Sequence, residues 1–546
     1  MKLSDHTNHI RQTVQSAIEN RLGRLGIAIN AVEVSLTTEQ QKEKDRLLEV
    51  FQSLKEETGT TEKAYEKLVD ELTFTLFNRI AALKVLEAFT LIPETITQRP
   101  ENGNRSFAHS AYLEQYPEKR NEEQEGLVDF IQYEFQNLAE NLPLYSLSHY
   151  YHLLPTAIEL KAIIDAFNAV EADEKDIDPE IWKSDDVLGW LYESYNNYKK
   201  VAHKDSKAKT EYDKVSIQSQ VYTPKWVVKF LVDNSLGKQY LEMYPHSDIK
   251  NKYAIANAPT ERVRDIKPLH DIKLIDPAMG SGNFLLYAFD VFYDLYQDQI
   301  DNYGADYDER DIPKLILEHN LFGVDLDNRA AQIAQLGLYI KARRKKRGIK
   351  INHFNLVSSD FILPEYEKVK HIFFPSDERK TDAEQAIEKI VISLWDDLQQ
   401  AHKFGALIRI EEIVESQLSV FDNRMVDLFT SQEQHTYLEF RKTFIDKLKK
   451  AIAEHASSGN HNFMDVQATN AVTYLDVLTN KYDVAVANPP YTDSADFGPE
   501  LKEFVEKHYK KPYKFHTNLY ATFIKRCCEL TTEDGKVAMI HPLTFM

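Results

Sequence analysis

The sequence predicts an α/β chain: a parallel sheet with covering helices, preceded by an all-α N-terminal domain and interrupted by a helical insertion. Three observations carry this. Strand, glycine turn and helix follow one another at Leu274-Ile275-Asp276-Pro277-Ala278-Met279-Gly280-Ser281-Gly282-Asn283-Phe284-Leu285. Short apolar runs that end in polar residues recur at Leu321–Asp327, Asn355–Phe361 and Tyr482–Tyr491. Strands set among helical patterns in this way read as a parallel sheet. Residues 1 to about 95 are poor in glycine, rich in Glu, Lys, Leu and Ala, and repeat apolar residues at helical spacing.

Composition sets the outer limits. A chain of 546 residues forms two to four domains. A net charge of −20 argues against bulk electrostatic coating of nucleic acid, so any such binding needs a local basic surface. The two cysteines are adjacent, Cys527 and Cys528, and make no disulfide framework, which suits a reducing interior. Met1 to Asp5 lacks the apolar core of a signal peptide, and no apolar run approaches the ~18 residues of a membrane span. A soluble cytoplasmic protein is expected.

Four regions follow in order: a helical domain over 1–200, the first part of a sheet domain over 201–362, a helical insertion over 363–480, and the rest of the sheet domain over 481–546. In the first, Ile10, Val14, Ile18 and Leu22, then Leu68, Leu72, Leu76 and Ile80, mark scaffold or partner-docking helices. Pro100, Gly103 and Pro117 make 96–126 a long connection. Glu159-Leu160-Lys161 matches the end of a metal-dependent nuclease motif, but Thr156 to Phe167 has helical periodicity and no acidic partner is well placed upstream. His149 and His152 lack a third ligand nearby, so no metal is expected. After a lysine-rich linker, Ala202 to Lys214, the pair Thr223-Pro224 looks like a helix start, with Thr as N-cap and Pro at the first position.

The sheet region carries the candidate site. Gly280 and Gly282 let the backbone approach a ligand, and the following helix start offers free N–H groups. Asp325 ends an apolar run, where a carboxylate can accept from both hydroxyls of a ribose. It lies 49 positions after Asp276, well beyond the ~20 of a dinucleotide fingerprint, so an additional helix is expected between the two strands. The helix Arg329 to Ala342 ends in Arg343-Arg344-Lys345-Lys346-Arg347, cations that suit the helix dipole or a phosphate. Asp360 and Phe361 end a third strand. Helical patterns over Ala383 to Leu398 and Thr436 to Glu454 fill the insertion, closed by Ser457-Ser458-Gly459-Asn460.

Alternation returns with Tyr482-Asp483-Val484-Ala485-Val486-Ala487, which delivers Asn488-Pro489-Pro490-Tyr491 to a strand's C-terminal end. Methylating an exocyclic amino group is hard because its lone pair is delocalised into the ring. Acceptors that grip both amino protons favour a tetrahedral nitrogen and aim the lone pair at a methyl donor. The Asn488 oxygen and the Pro489 carbonyl can do this, the prolines restrict the loop, and the Tyr491 face can stack an extruded base. Methylation at cytosine C5 needs an activated Cys, normally after a Pro, and Cys527-Cys528 sits in a helical pattern without one.

Tyr222-Thr223-Pro224, Asp276 to Gly282, Gly323-Val324-Asp325, Asp360 and Asn488-Pro489-Pro490-Tyr491, in this order, resemble the motif series of S-adenosylmethionine-dependent N6-adenine DNA methyltransferases of the gamma arrangement. Thr75 to Lys84 and Asn518 to Ile524 are similar to blocks of the branch that serves bacteriophage exclusion (BREX) defence systems. The resemblance covers most of the chain. It implies a Rossmann-like methyltransferase domain acting on double-stranded DNA with a flipped base, other defence-system proteins as partners through the N-terminal helices, and S-adenosylmethionine as cofactor. Asp276, Gly280 and Gly282 would line the cofactor's methionine end with Thr223 nearby. Asp325 would hold its ribose, and Asp360 with Phe361 would flank its adenine. Tyr222, Pro224, Pro277, Ala278, Phe284 and Leu326 belong to the same implied surface. Asn488, Pro489, Pro490 and Tyr491 would be catalytic.

Family members continue well beyond the 58 positions that follow Asn488, so a C-terminally truncated chain with an incomplete sheet is expected. For DNA there remain Lys507, Lys510, Lys511 and Lys514, interleaved with His508, Tyr509, Tyr513 and Phe515, as a phosphate and stacking edge. The competing functions are a type I restriction–modification methylation subunit, a glutamine or RNA methyltransferase, and a cofactor-binding but inactive assembly module.

Overall fold

Strands buried on both faces need apolar residues in succession; Leu274-Ile275 within Leu274–Asp276 and Val484 to Ala487 within Tyr482–Ala487 supply them. These are β1 and β4 of a five-stranded sheet; β2 is Leu321–Asp325, β3 is Asn355–Ser358 and β5 is Thr531–Met539. All neighbours are parallel, in the order β3-β2-β1-β4-β5. Ile275 lies opposite Phe322 on one side and Ala485 on the other. The chain therefore steps outward from β1 to β3 and returns on the far side of β1 to make β4. At that reversal the C-terminal ends of β1 and β4 lie side by side, where open parallel sheets leave a crevice.

The computed structural model describes residues 2–30, 33–140, 142–145, 151–206, 208–212, 214–215, 223–361, 366–373, 382–410, 450 and 462–543. The chain forms two compact units, residues 1–198 with 339–350, and residues 199–338 with 351–546. Among the described residues, no helix is long and apolar enough to cross a membrane.

The first unit is helical among its described elements. Helix Thr61–Ala88 is buried almost without break from Leu72 to Glu87, so its polar residues need partners inside the protein. Arg79 donates to the Leu144 carbonyl at 2.7 Å and meets His152 Nδ1 at 2.7 Å. Burial, reinforced by Arg79 and Arg46, pushes His152 down to about 2, so its ring stays neutral and structural. His149 lies outside the described residues. Glu159 lies in helix Ala157–Glu171, where it closes a capping box with Thr156 and receives both guanidinium nitrogens of Arg24 at 2.9 and 3.0 Å. Burial works against its charge, but the hydrogen bonds from Arg24 and Thr156 hold its carboxyl down at about 2. The supposed connection over 96–126 contains helix Phe107–Gln115, which is capped by Ser106 and buries Ala108, Tyr112 and Leu113. The basic end of helix Asn328–Lys345 is also occupied: Lys341 and Arg344 both pair with Asp185, and Arg343 donates to the Leu91 carbonyl at 3.2 Å.

In the second unit, two expectations change. Of the stretch read as a linker over 202–214, residues 202–206 continue helix Val187–Ser206, and Thr210 bridges Phe497, donating to the Asp496 carbonyl at 2.8 Å. The helices of 363–480 are also less separate than an insertion implies. Trp395, Leu398, Phe404, Tyr474, Leu475 and Leu478 share one core with Val324, Val357 and Tyr482 from the sheet. Helix Asn462–Thr479 is thus the crossover that returns the chain to β4. The expected helix at 436–454 and loop at 457–460 lie outside the described residues, apart from Lys450.

Before that crossover, four successive carbonyls are held by buried side chains. Gly405 accepts from the Tyr474 hydroxyl at 2.8 Å and Leu407 from Tyr509 at 2.7 Å. Ala406 and Ile408 both accept from Arg526, at 2.6 and 3.0 Å. Arg526→Met leaves two of these carbonyls without that donor at a fully buried position. Each orphaned group costs about 1–3 kcal/mol, so a loss of about 2–5 kcal/mol is expected in denaturant unfolding.

Candidate active site

At the end of β1 the Asp276 carboxylate accepts from the Ala278 N–H at 3.1 Å. Its burial pushes it up to about 8, with the neighbouring Asp325 acting in the same direction. The turn then folds back on β2, as Met279 N–H donates to the Val324 carbonyl at 3.1 Å. Gly280 has φ +51° and open space where a side chain would be. Gly282 has φ +85°, and a Cβ there would lie 2.9 Å from Ala334 Cβ. The first glycine leaves room beside the backbone; the second lets helix Asn283–Tyr303 approach its neighbour. Phe284 is buried, and Ala278 packs partly buried against the sheet core.

Asp325, the last residue of β2, closes the turn. Its carboxylate accepts from Gly280 N–H and Asp327 N–H, both at 2.9 Å. Burial pushes it, too, up to about 6. Beyond β3, Asp360 donates its N–H to Ser358 Oγ at 2.9 Å and stays half-buried. The Phe361 ring is buried edge-on to Tyr474, with centroids 5.2 Å apart. Leu326 is the neighbour that a Cβ on Gly405 would meet, at 3.1 Å. Asn283 was not singled out from the sequence. Its Oδ1 is buried with no hydrogen-bond partner, directly after the two glycines.

At the end of β4 stands Asn488, half-buried. Its Nδ2 donates to Thr223 Oγ1 at 2.9 Å, and its Oδ1 accepts from the Tyr491 hydroxyl. Thr223 is therefore not the helix cap expected for it. Helix Lys225–Val232 has Pro224 at its N-cap, with no side-chain cap, and Thr223 is buried against Asn488 instead. Pro489 is buried and Pro490 half-buried. Asn518, which opens the block similar to the BREX branch and was given no role there, caps helix Leu519–Leu530 through Tyr520 N–H and donates to the Tyr491 carbonyl at 3.3 Å. An Asn ahead of an apolar helical run was the available signal. Tyr222 lies outside the described residues. Lys507, Lys510, Lys511 and Lys514 are exposed, with Lys510 paired to Glu506 at 3.0 Å, and Tyr513 is 76% exposed beside them. Tyr509 points inward, its hydroxyl spent on Leu407.

Residues 254–371 match the model of the MmeI DNA-methyltransferase domain, and residues 319–546 match that of the Eco57I restriction-modification methylase. The adenine-specific methyltransferase BrxX of Escherichia coli O9:H4 (strain HS) is 26% identical over 539 residues, covering 89% of this chain. The adenine-specific methyltransferase PglX of Lacticaseibacillus casei (strain Zhang) is 26% identical over 522 residues, covering 87%. The chain is thus similar to the BrxX and PglX adenine-specific methyltransferases. It spans about two-fifths of their length, 41% of BrxX and 40% of PglX. A solved DrdV–DNA complex covers 99% of this chain and 36% of its own at 12% identity, with a TM-score of 0.37, too loose to bear on the fold. The match to MmeI takes in β1, β2 and β3, and with them Asp276, Gly280, Gly282 and Asp325. The match to Eco57I takes in β2 through β5 and so contains Asn488 to Tyr491.

Proposed function

We propose that this chain is the methyl-transferring part of a DNA methyltransferase that acts on N6 of an adenine extruded from double-stranded DNA, with S-adenosylmethionine as donor, within a BREX-type defence system. The observation that carries it is Asn488-Pro489-Pro490-Tyr491 at the end of β4, beside the Asp276–Gly282 turn at the end of β1. The five parallel strands are then the Rossmann-like core of such an enzyme. Homology to BrxX and PglX favours this reading over a type I methylation subunit, a glutamine or RNA methyltransferase and an inactive assembly module.

The residues at the β1 turn suit the cofactor. Gly280 has open space on its side-chain face, Asn283 Oδ1 is an acceptor awaiting a donor, and the Asp325 carboxylate has accepting capacity beyond the backbone N–H groups that it holds. Asp276, Pro277, Ala278, Gly280 and Gly282 would hold the methionine end, Asp325 and Leu326 the ribose, and Asp360 with Phe361 the adenine end. When bound, S-adenosylmethionine supplies a methyl group on a sulfonium. Asn488 Oδ1 and the Pro489 carbonyl accept from the amino group of the target base and orient its lone pair, while the Tyr491 ring stacks the base. Lys507, Lys511 and Lys514 would follow the DNA backbone.

Unmethylated plasmid DNA, incubated with the chain and donor labelled in its methyl group, should yield labelled N6-methyladenine after nuclease digestion. Label on cytosine, on RNA or on protein would overturn the reading.

Cofactor binding should also release protons. Burial first, and then neighbouring charge, raises Asp325 to about 6 and Asp276 to about 8, and hydrogen bonds from the ligand favour their ionised forms. Affinity should therefore tighten as pH rises through 6 and then 8. Calorimetry in two buffers of different ionisation heat checks the release. In the ligand-free chain the sign is opposite: the stability these raised groups contribute is present below about pH 4 and lost as pH rises through 6 and 8.

A further inference from the structure

Asn488 is held at both ends of its amide. Thr223, 265 residues earlier, accepts from Nδ2 at 2.9 Å, and Tyr491, three residues later, donates its hydroxyl to Oδ1. The oxygen expected to receive the target's amino group is thus already in use. The group using it belongs to the ring expected to stack that same base. We propose that the Tyr491 hydroxyl is a removable cap on the Asn488 acceptor, displaced by an incoming amino group, and that Thr223 is the positioning residue which keeps this oxygen turned toward the cap. The inference rests on the reading of Asn488 as the acceptor.

The physical logic is one of exchange. A half-buried carbonyl oxygen without a donor is unfavourable, and the phenol O–H meets that need while no base is bound. An entering amino group brings its own donor, so the number of hydrogen bonds to Oδ1 is conserved as the phenol leaves. The ring that carried the hydroxyl then lies against the base. A base with no exocyclic amino group has nothing to exchange for the phenol, so the cap also selects. Thr223 is buried and anchors the amide nitrogen. Without that anchor the amide can rotate and present its NH2 end to the base, a donor facing donors.

The cap can be read directly in the full chain labelled with 3-fluorotyrosine, with the Tyr491 fluorine signal assigned by its loss in Tyr491→Phe. The signal should move on Asn488→Ala. It should also move when deoxyadenosine is added with S-adenosylhomocysteine, and stay in place with thymidine. A signal indifferent to Asn488→Ala overturns the cap, and one that deoxyadenosine does not move overturns the exchange. Because this readout needs no turnover, it separates failure of the cap from failure of the methyltransferase reading, which the labelled-methyl assay decides. In kinetics, Tyr491→Phe keeps the ring and removes the competitor, so KM for DNA should fall about threefold or more, and a KM that stays or rises overturns the cap. A fall in kcat instead would assign the hydroxyl to the chemistry and overturn the cap. Thr223→Val should lower kcat about tenfold with cofactor affinity unchanged, and Thr223→Ser should restore it. Equal loss of cofactor affinity, or no rescue by Ser, would make Thr223 a cofactor contact or a structural residue.

Discussion

Asn488→Ala is expected to lower kcat for methyl transfer by about 10²–10³-fold while S-adenosylmethionine still binds, the scale of losing one preorganised hydrogen-bonding group aimed at developing charge. On the proposed reading it removes the acceptor that draws the amino nitrogen toward a tetrahedral geometry, leaving the Pro489 carbonyl to hold the amino group alone. The glycine turn and Asp325 are untouched, because Asn488 is bonded to Thr223 and Tyr491 rather than to either of them. Single-turnover methylation beside cofactor calorimetry checks the separation. Rate and cofactor affinity falling together would assign Asn488 to the cofactor instead.

Asp325→Ala should act on the other side of the reaction and weaken cofactor binding about 100-fold. Hydrogen bonds to a charged acceptor are worth about 1.5–3 kcal/mol each, and a ribose offers two donors. The same carboxylate also accepts from Gly280 N–H at 2.9 Å, so its removal frees the glycine turn that must cradle the ligand. Asp325→Asn keeps one accepting oxygen, and about a tenfold loss is expected. Calorimetric titration of both variants, with circular dichroism to confirm the fold, distinguishes lost contacts from lost structure. Unchanged affinity in Asp325→Ala would remove the ribose assignment.

What could be read ahead of the structure was what the chain encodes locally. The β1 turn announces itself within twelve residues, since apolar strand, acid, proline and two glycines constrain the backbone without help from elsewhere. Glu159 could be placed on a helix because Thr156 to Phe167 repeats its apolar residues at helical spacing. The bond from Asn488 to Thr223 could not be read. Thr223-Pro224 has the chemistry of a helix start, and only the fold brings a partner from 265 residues away to claim the hydroxyl. Helix Asn462–Thr479 was legible as a helix but not as the connection back to β4, because a helix covering the sheet and a helix of an insertion carry the same apolar repeat.

Residues 339–350 belong to the same compact unit as 1–198, although the chain reaches them only after building β1 and β2 of the other unit. Asp185 is matched by Lys341 and Arg344, and Glu140 by Lys350. A recombination joint placed after residue 198 would give one daughter gene whose Asp185 has lost both cations and another that carries those cations without their acid. The two units are therefore not exchangeable cassettes. Descent should keep them on one reading frame, and substitutions at 185, 341 and 344 should be inherited as a set.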